Sequence, residues 1–278
     1  MNYDVVVGIG CSFMNGDAIC DSRDRVCGRD YVSALLLSKK LKTDYVHLAG
    51  SGFSNERIFR LIYEWVENNN EKGYYEKPLF IIGLSETSRY HFQNIFDKEY
   101  FDLQPGQLNS YNDEALSDVN KKLTNGIESV NNLRTWMTYY MKWLYNDKHE
   151  DKKLQREVMM LHHYLKGNNC DYRIHNSLID SLGDIKHKIN YVTFQDDDYN
   201  GNDNWFDYLR YELEEVDGLI YNDVSNRNHK PPYGKRFCKG HPSPHANEKL
   251  FERIYEDLKK WNFMKIKVQD ITHQSSMI

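Results

Sequence analysis

Residues 10–16 read Gly-Cys-Ser-Phe-Met-Asn-Gly and contain a candidate nucleophile, Ser12. Small residues around it favour a sharp turn that presents both the Ser12 hydroxyl and the Ser12 backbone N–H. Acyl transfer needs both groups, because a hydroxyl attacks the carbonyl carbon while N–H groups stabilise the oxyanion that forms. Taken alone, the same residues favour a plain glycine-rich turn before a helix, so the chemistry depends on partners elsewhere in the chain.

Three other segments contain the partners that a catalytic serine requires. Gly52 could offer an unobstructed backbone N–H to the oxyanion, and Ser85 a polar side chain. His241 is a candidate general base for Ser12. A metal site at His241 and His245 is disfavoured, because prolines interrupt their spacing and no third ligand is evident. We therefore predict neither a metal nor a cofactor.

Asn55 and Arg89 are candidate substrate-binding residues. Arg89 could bind an anionic group of a substrate, although a surface ion pair is the commoner role for an arginine. Asn55 could line the pocket beside Gly52, or it could cap the helix that follows.

Alternating strand and helix signals place these segments at one edge of a sheet. Residues 3–9, 44–48 and 78–84 are apolar or β-branched runs typical of buried strands, and two helical patterns, residues 30–41 and the stretch after Ser54, separate them. This alternation predicts an α/β fold: a flavodoxin-like, doubly wound parallel sheet of about five strands, flanked by helices. The candidate segments follow strands one to three, and sites in such sheets form at the carboxyl ends of the strands.

The rest of the chain has weaker signals. We predict a mainly helical or irregular insertion after strand three, at about residues 90–185, within one domain spanning residues 1–262. A weakly patterned tail, residues 263–278, follows. The further elements expected are helices at 128–145, 152–165 and 245–261, and strands at 189–194 and 218–221.

Composition narrows the class of protein. The formal net charge of -5 over 278 residues argues against a nucleic-acid partner. No run reaches the roughly 18 apolar residues that cross a bilayer, and no signal peptide is visible at the N-terminus. Five cysteines without regular spacing make a poor disulfide framework. We therefore expect a cytoplasmic protein, in the host cytoplasm if the source is viral, with no membrane partner; the oligomeric state stays open.

The order of these segments resembles that of the SGNH hydrolases, also called the GDSL esterase/lipase superfamily, and especially their divergent phage and bacterial members. Gly10, Ser12 and Gly16 match the first family block, in which the serine is the nucleophile. Gly52 matches the glycine of the second block. His241, followed by proline and serine and then by the last predicted helix, matches the family's catalytic histidine.

Three positions depart from the family pattern. Cys11 replaces the aspartate of the first block, and Ser85 replaces the asparagine whose side chain completes the oxyanion hole. Cys238 stands where the family has the aspartate that orients the histidine, which leaves a Ser–His dyad unless another acceptor, such as Asp223, substitutes. We read the two cysteines as small buried residues rather than as reactive thiols.

The resemblance covers residues 3–89 and 189–261 and implies a serine esterase or deacetylase that forms an acyl-enzyme on Ser12. A small-molecule or carbohydrate ester is the expected substrate. Three alternatives stay open: an acyltransferase, a binding or structural module that has lost turnover, and a nucleotide-phosphate binder. The nucleotide-phosphate alternative is disfavoured, because residues 10–16 lack both the Gly-Lys-Ser/Thr ending of a P-loop and the Gly-x-Gly-x-x-Gly of a dinucleotide fold. Four aromatic residues have helical spacing that favours core packing, although exposed rings would suit stacking on a sugar: Trp136, Tyr139, Tyr140 and Trp143.

Overall fold

A four-stranded parallel sheet is the centre of the computed structural model, which describes residues 2–16, 29–93, 100–104, 117, 129–195, 199–209, 242 and 244–275. A π-helical turn, Tyr140–Leu144, extends the fourth helix, and a 3₁₀ helix spans Gly183–Lys188. In chain order the other elements are β1 (Val5–Gly10), α1 (Ser12–Asn15), α2 (Ser33–Leu41), β2 (Asp44–His47), α3 (Asn55–Lys72), β3 (Pro78–Leu84), β4 (Tyr90–Gln93), β5 (Tyr100–Leu103), α4 (Val130–Tyr139), α5 (Asp147–Gly167), β6 (Asp171–Asn176) and α6 (Pro244–Ser275).

The sheet has the strand order β2-β1-β3-β6, and β4 pairs separately with β5 as an antiparallel hairpin. Every residue of β1 and of β3 is buried, as expected for parallel strands that are covered on both faces. The β1–β3 register runs from Val5↔Pro78 to Gly10↔Gly83, so the two strands end side by side. The predicted α/β class with a doubly wound parallel sheet is confirmed.

Helices cover the two faces of the sheet, and each face has its own apolar core. On one face, α2 and α6 pack on alternate strand residues: Val6, Leu79 and Ile81 against Ala34, Leu37, Leu250, Ile254 and Leu258. On the other face, α3 and α5 pack on the intervening residues: Val5, Val7, Phe80 and Ile82 against Ile58, Ile62, Val66, Leu154, Val158 and Leu161. The connections from β1 and from β2 therefore leave the sheet on opposite faces, which opens a crevice at the carboxyl ends of β1 and β3.

The fourth sheet strand, β6, lies inside the region that the sequence predicted as an insertion. Its sequence, Asp-Tyr-Arg-Ile-His-Asn, contains one aliphatic residue and therefore has no apolar run. Five of its six residues are nevertheless buried, and two of them, Tyr172 and Arg173, have polar partners on the flanking helices. The Arg173 Nε bonds to the Asp257 carboxylate of α6 at 2.5 Å, and the Tyr172 hydroxyl lies 2.5 Å from His162 Nδ1 of α5.

The strand predicted at 189–194 is reduced to a single parallel bridge between Ile174 and Tyr191. Val192 N–H donates to the Ile174 carbonyl at 2.9 Å, but Phe194 N–H donates to the Asp203 carboxylate at 2.7 Å. The segment therefore leaves the sheet after two backbone bonds. The strand predicted at 218–221 lies outside the described residues.

The last helix is longer than the sequence predicted. α6 continues to Ser275, through most of the segment expected as a weakly patterned tail. No glycine or proline occurs between residues 245 and 278, so nothing in that stretch interrupts a helix. None of the described helices is long and apolar enough to cross a membrane.

Candidate active site

Ser12 is the first residue of α1 and lies at the end of the central strand β1. Its side chain is largely buried, with 8% of the residue exposed. Gly16, which has a φ of 76°, caps the C-terminus of the short helix, and its N–H donates to the Ser12 carbonyl. At the same helix, Asn15 Oδ1 bonds to His47 Nε2 at 2.8 Å, which ties α1 to the end of β2.

The place of α1 depends on two glycines that face each other across β1 and β3. A Cβ on Gly10 would lie 2.8 Å from the Gly83 carbonyl oxygen and 2.6 Å from Met14 Cγ. A Cβ on Gly83 would lie 2.6 Å from the same Met14 atom. Either side chain would push α1 away from the strand ends, so these glycines allow α1, which begins with Ser12, to pack closely against the ends of β1 and β3.

The loop after β2, which contains Gly52, is held beside the end of β1. Leu48 N–H donates to the Gly8 carbonyl at 2.9 Å, and Gly50 N–H donates to the Gly10 carbonyl at 3.1 Å. Gly52 itself has a φ of 73°, a left-handed conformation that favours glycine. The segment therefore lies next to the strand from which Ser12 emerges.

Asn55 connects this loop to the loop after β3. The Ser85 backbone N–H donates to Asn55 Oδ1 at 2.8 Å, and Asn55 Nδ2 donates to the Ser85 carbonyl at 3.1 Å. Asn55 is the first residue of α3 and is buried, while Ser54 caps the helix by accepting the Arg57 N–H. Both polar ends of the Asn55 amide thus bind protein backbone, so the structure gives Asn55 a role in joining two loops; the prediction that it binds substrate stays a prediction.

Ser85 directly follows β3 and is buried. Its backbone N–H is taken by Asn55, but its hydroxyl has no hydrogen-bond partner within the described part of the chain. If Ser85 contributes to an oxyanion site, the hydroxyl is therefore the group that does so.

Arg89 is buried, so the ion pair that it forms is not the surface ion pair expected as its alternative role. Its Nε donates to Glu86 Oε1 at 2.8 Å. It lines a small cleft beside Asn55, in which acidic side chains outnumber basic ones: Glu56, Glu150 and Glu157 against Arg89 and Lys153. Burial is the largest cause that raises the pKa of Glu157. This charge balance does not favour an anionic ligand at Arg89.

The candidate base His241, together with Cys238, Ser243 and Asp223, lies outside the described residues. The predicted dyad of Ser12 and His241 therefore stays a prediction. Among the described residues, no group of three or more His, Cys, Asp or Glu side chains could hold a metal ion. Cys11, beside Ser12, is a buried free thiol.

Comparison with known proteins shows similarity only at the level of distant solved structures. No family model and no curated protein matches the chain. Among solved structures, the chain is similar to the psychrotrophic esterase EstA from Pseudoalteromonas sp., in a structure inhibited by monoethylphosphonate. The match covers 93% of this chain and 98% of that chain, with 12% sequence identity and a TM-score of 0.42. Values this low do not establish a shared family or a shared activity.

The sequence did not single out His175, which lies at the end of β6 beside the crevice. His175 is completely buried against the rings of Phe194 and Trp205, and neither ring nitrogen has a hydrogen-bond partner within the described residues. Burial lowers its pKa to about 3, so the ring is neutral at ordinary pH. The sequence does not indicate this burial, because the residues around His175 are mostly polar and do not predict a strand.

Ser177, the residue after the end of β6, shares this environment. A Cβ on Gly83 would lie 3.1 Å from His175 Nε2 and 2.7 Å from Ser177 Oγ, so both polar groups approach the end of β3 on one side. The Ser177 hydroxyl is also buried without a partner in the described part of the chain.

The predicted aromatic cluster is largely at the surface rather than in the core. Trp136 is 44% exposed, Tyr139 61% and Trp143 67%. Tyr140 stacks on Trp136 with 5.7 Å between ring centroids, and its hydroxyl donates to the Tyr90 hydroxyl. Since Tyr90 lines the cleft beside Asn55, the aromatic surface runs toward the carboxyl end of the sheet.

Proposed function

We propose that this chain is a serine ester hydrolase with Ser12 as its nucleophile and His241 as its general base. One observation carries the proposal: Ser12, Gly52 and Ser85 follow three neighbouring parallel strands, and hydrogen bonds through Asn55 join the last two of their loops. A nucleophile and its oxyanion donors must converge on one substrate atom, and this arrangement brings their loops to one edge of the sheet.

The proposed reaction has two halves. His241 takes the Ser12 hydroxyl proton while Oγ attacks the ester carbonyl carbon, and the negative charge on the carbonyl oxygen is stabilised by the N–H groups of Ser12 and Gly52 and by the Ser85 hydroxyl. The tetrahedral intermediate expels the alcohol, which receives the proton from His241. Water then attacks the acyl-enzyme with the same proton transfers, which releases the acid and restores Ser12.

The departures from the family pattern predict slow turnover. Cys238 stands where the family has the aspartate that orients the histidine, and the loss of such an aspartate costs on the order of 10⁴ in rate unless another acceptor, such as Asp223, replaces it. The change from asparagine to Ser85 shortens one oxyanion donor, and loss of a donor costs on the order of 10² to 10³. A fold that binds an ester but turns it over very slowly is therefore the second candidate function.

An acylated carbohydrate is the substrate class that we propose for this site. The exposed rings of Trp136, Tyr139 and Trp143 support it, because flat aromatic faces stack on the apolar faces of sugar rings. An acyltransferase would use the same first half-reaction and differ only in the group that attacks the acyl-enzyme.

The test is covalent labelling of the whole chain with a fluorophosphonate probe between pH 6 and 9. We expect one adduct, mapped to Ser12 by mass spectrometry, and no adduct in Ser12→Ala or His241→Ala. Ser38→Ala is the matched control, because Ser38 is also buried but bonds to the Leu35 carbonyl within α2. Absence of labelling in the wild type, or labelling that survives Ser12→Ala, would overturn the proposal.

A further inference from the structure

One buried carboxylate holds the β4–β5 hairpin against the start of α3. Asp102 Oδ1 accepts hydrogen bonds from the Ser54 N–H at 3.1 Å and from the Ser54 hydroxyl at 2.7 Å. Asp102 Oδ2 accepts one from the Arg57 guanidinium at 2.8 Å, and His91 Nδ1 lies 3.2 Å from Oδ1. The Asp102 side chain is only 6% exposed. Hydrogen bonds to an ionised, enclosed carboxylate are among the stronger ones in proteins, so this attachment is firm.

Gln104, two residues further along, contacts the loop that contains Gly52. Its Nε2 donates to the Gly52 carbonyl at 3.2 Å. A Cβ on Gly52 would lie 2.6 Å from the same nitrogen. The contact therefore depends on a glycine at that position, as does the left-handed backbone there.

Each of the four residues from Gly52 to Asn55 has its own fixed partner. Gly52 is bound by Gln104, and Ser54 by Asp102. The Phe53 ring is covered by the Arg57 guanidinium, whose carbon lies 4.0 Å from the ring centroid, and Asn55 binds Ser85. Since Arg57 also binds Asp102, three of the four attachments depend on β5 and the residue after it.

We infer that Asp102 and Gln104 are positioning residues that aim the Gly52 N–H at the crevice over Ser12. The inference rests on the proposed function, in which that N–H stabilises the oxyanion. Gln104 fixes the carbonyl side of Gly52, and Asp102 fixes the chain two residues later, so the loop keeps one orientation. Oxyanion donors act only when they are already in place, and a misplacement of about 1 Å can cost on the order of 10²-fold in rate.

Asp102→Asn and Gln104→Met test the inference by kinetics with p-nitrophenyl acetate. Asn removes the charge that draws the Arg57 and Ser54 donors, and Met keeps the length of Gln104 without its donor. We expect kcat to fall about 10-fold in Gln104→Met and further in Asp102→Asn, with KM nearly unchanged, because the lost interaction acts on the transition state. Asn69→Ala is the matched control: it removes two hydrogen bonds to Tyr75 at the other end of α3.

A second readout is independent of catalysis. Amide hydrogen exchange of Gly52, followed by NMR, should become faster in both variants and stay unchanged in Asn69→Ala. Unchanged Gly52 exchange in both variants, or equal effects of all three substitutions, would overturn the inference. A wild type without esterase activity would instead overturn the proposed function, and the exchange rates would still decide whether Asp102 and Gln104 hold the loop.

Discussion

At the scale of single residues, several buried polar groups near the crevice remain without partners. The structure leaves the Ser85 hydroxyl, the Ser177 hydroxyl and both ring nitrogens of His175 unbonded within the described residues. Each such group costs about 1–3 kcal/mol relative to a satisfied one. All three residues lie at the carboxyl ends of β3 and β6.

The buried His175 makes the free energy of unfolding depend on pH. Burial lowers its pKa to about 3, whereas a histidine in the unfolded chain titrates near 6.5. The unfolded state therefore binds a proton that the folded state does not. The free energy of unfolding is therefore undiminished by His175 above pH 6.5, and it decreases by about 1.4 kcal/mol per pH unit as the pH falls from 6.5 toward 3.

Between pH 7 and pH 5, we expect the free energy of unfolding of the wild type to decrease by about 2 kcal/mol more than that of His175→Phe. Phenylalanine keeps a ring against Phe194 and Trp205 but cannot take up a proton. The measurement is urea unfolding at each pH, with His149→Gln, an exposed histidine, as the control. If the wild type and His175→Phe lost the same free energy of unfolding between these pH values, His175 would not be the cause of the pH dependence.

At the scale of elements, the Asn55 bridge predicts that α3 and the loop after β3 are stabilised together. Asn55→Ala removes both hydrogen bonds and leaves the Ser85 N–H and carbonyl buried, at a cost of about 2–3 kcal/mol. Asn70→Ala, on the exposed face of the same helix, should cost less than about 1 kcal/mol. Urea midpoints compare the two, and equal losses would show that the bridge does not stabilise the fold.

Elements with an apolar period were predictable from sequence, and elements held by polar partners were not. β1, β3 and α3 have continuous or periodic apolar residues, and the structure places them where expected. β6 was missed because its burial depends on partners that are distant in sequence, such as Asp257 for Arg173. The β4–β5 hairpin was missed for the same reason, since the Ser54 and Arg57 donors to Asp102 are 45 or more residues away.

The candidate site likewise contains residues that the sequence predicts and contacts that it does not. Ser12, Gly52 and Ser85 follow strands that the sequence predicts, so their arrival at one sheet edge could be foreseen. The roles of Asp102 and Gln104 could not, because nothing local to β5 indicates that it lies beside the loop after β2.

At the scale of the whole molecule, α6 covers one face of the sheet and begins three residues after His241. Because His241 is so close to α6 in sequence, we expect the docking of α6 to influence where the candidate base lies. Besides apolar contacts, α6 is attached through Asp257, which accepts from the Nε of the almost completely buried Arg173 at 2.5 Å. Trp261 lies beside the same guanidinium, 5.5 Å from the ring centroid to its carbon.

Removal of the two charges should have unequal effects. Asp257→Asn leaves the buried Arg173 cation without its main partner and should cost about 2 kcal/mol, whereas Arg173→Met leaves a partly exposed carboxylate that water can solvate. Combining both substitutions should restore part of the loss caused by Asp257→Asn, because no buried charge is left unpaired. Urea unfolding of the two single variants and the double variant measures this coupling.

The same variants connect the docking of α6 with the proposed chemistry. If α6 delivers His241 to Ser12, Asp257→Asn should slow fluorophosphonate labelling at a temperature where the protein remains folded, and the double variant should recover part of the rate. Labelling that is unaffected by a clear loss of stability would mean that the base does not depend on α6 for its position, and His241 would then be the weakest of the residues proposed for this site.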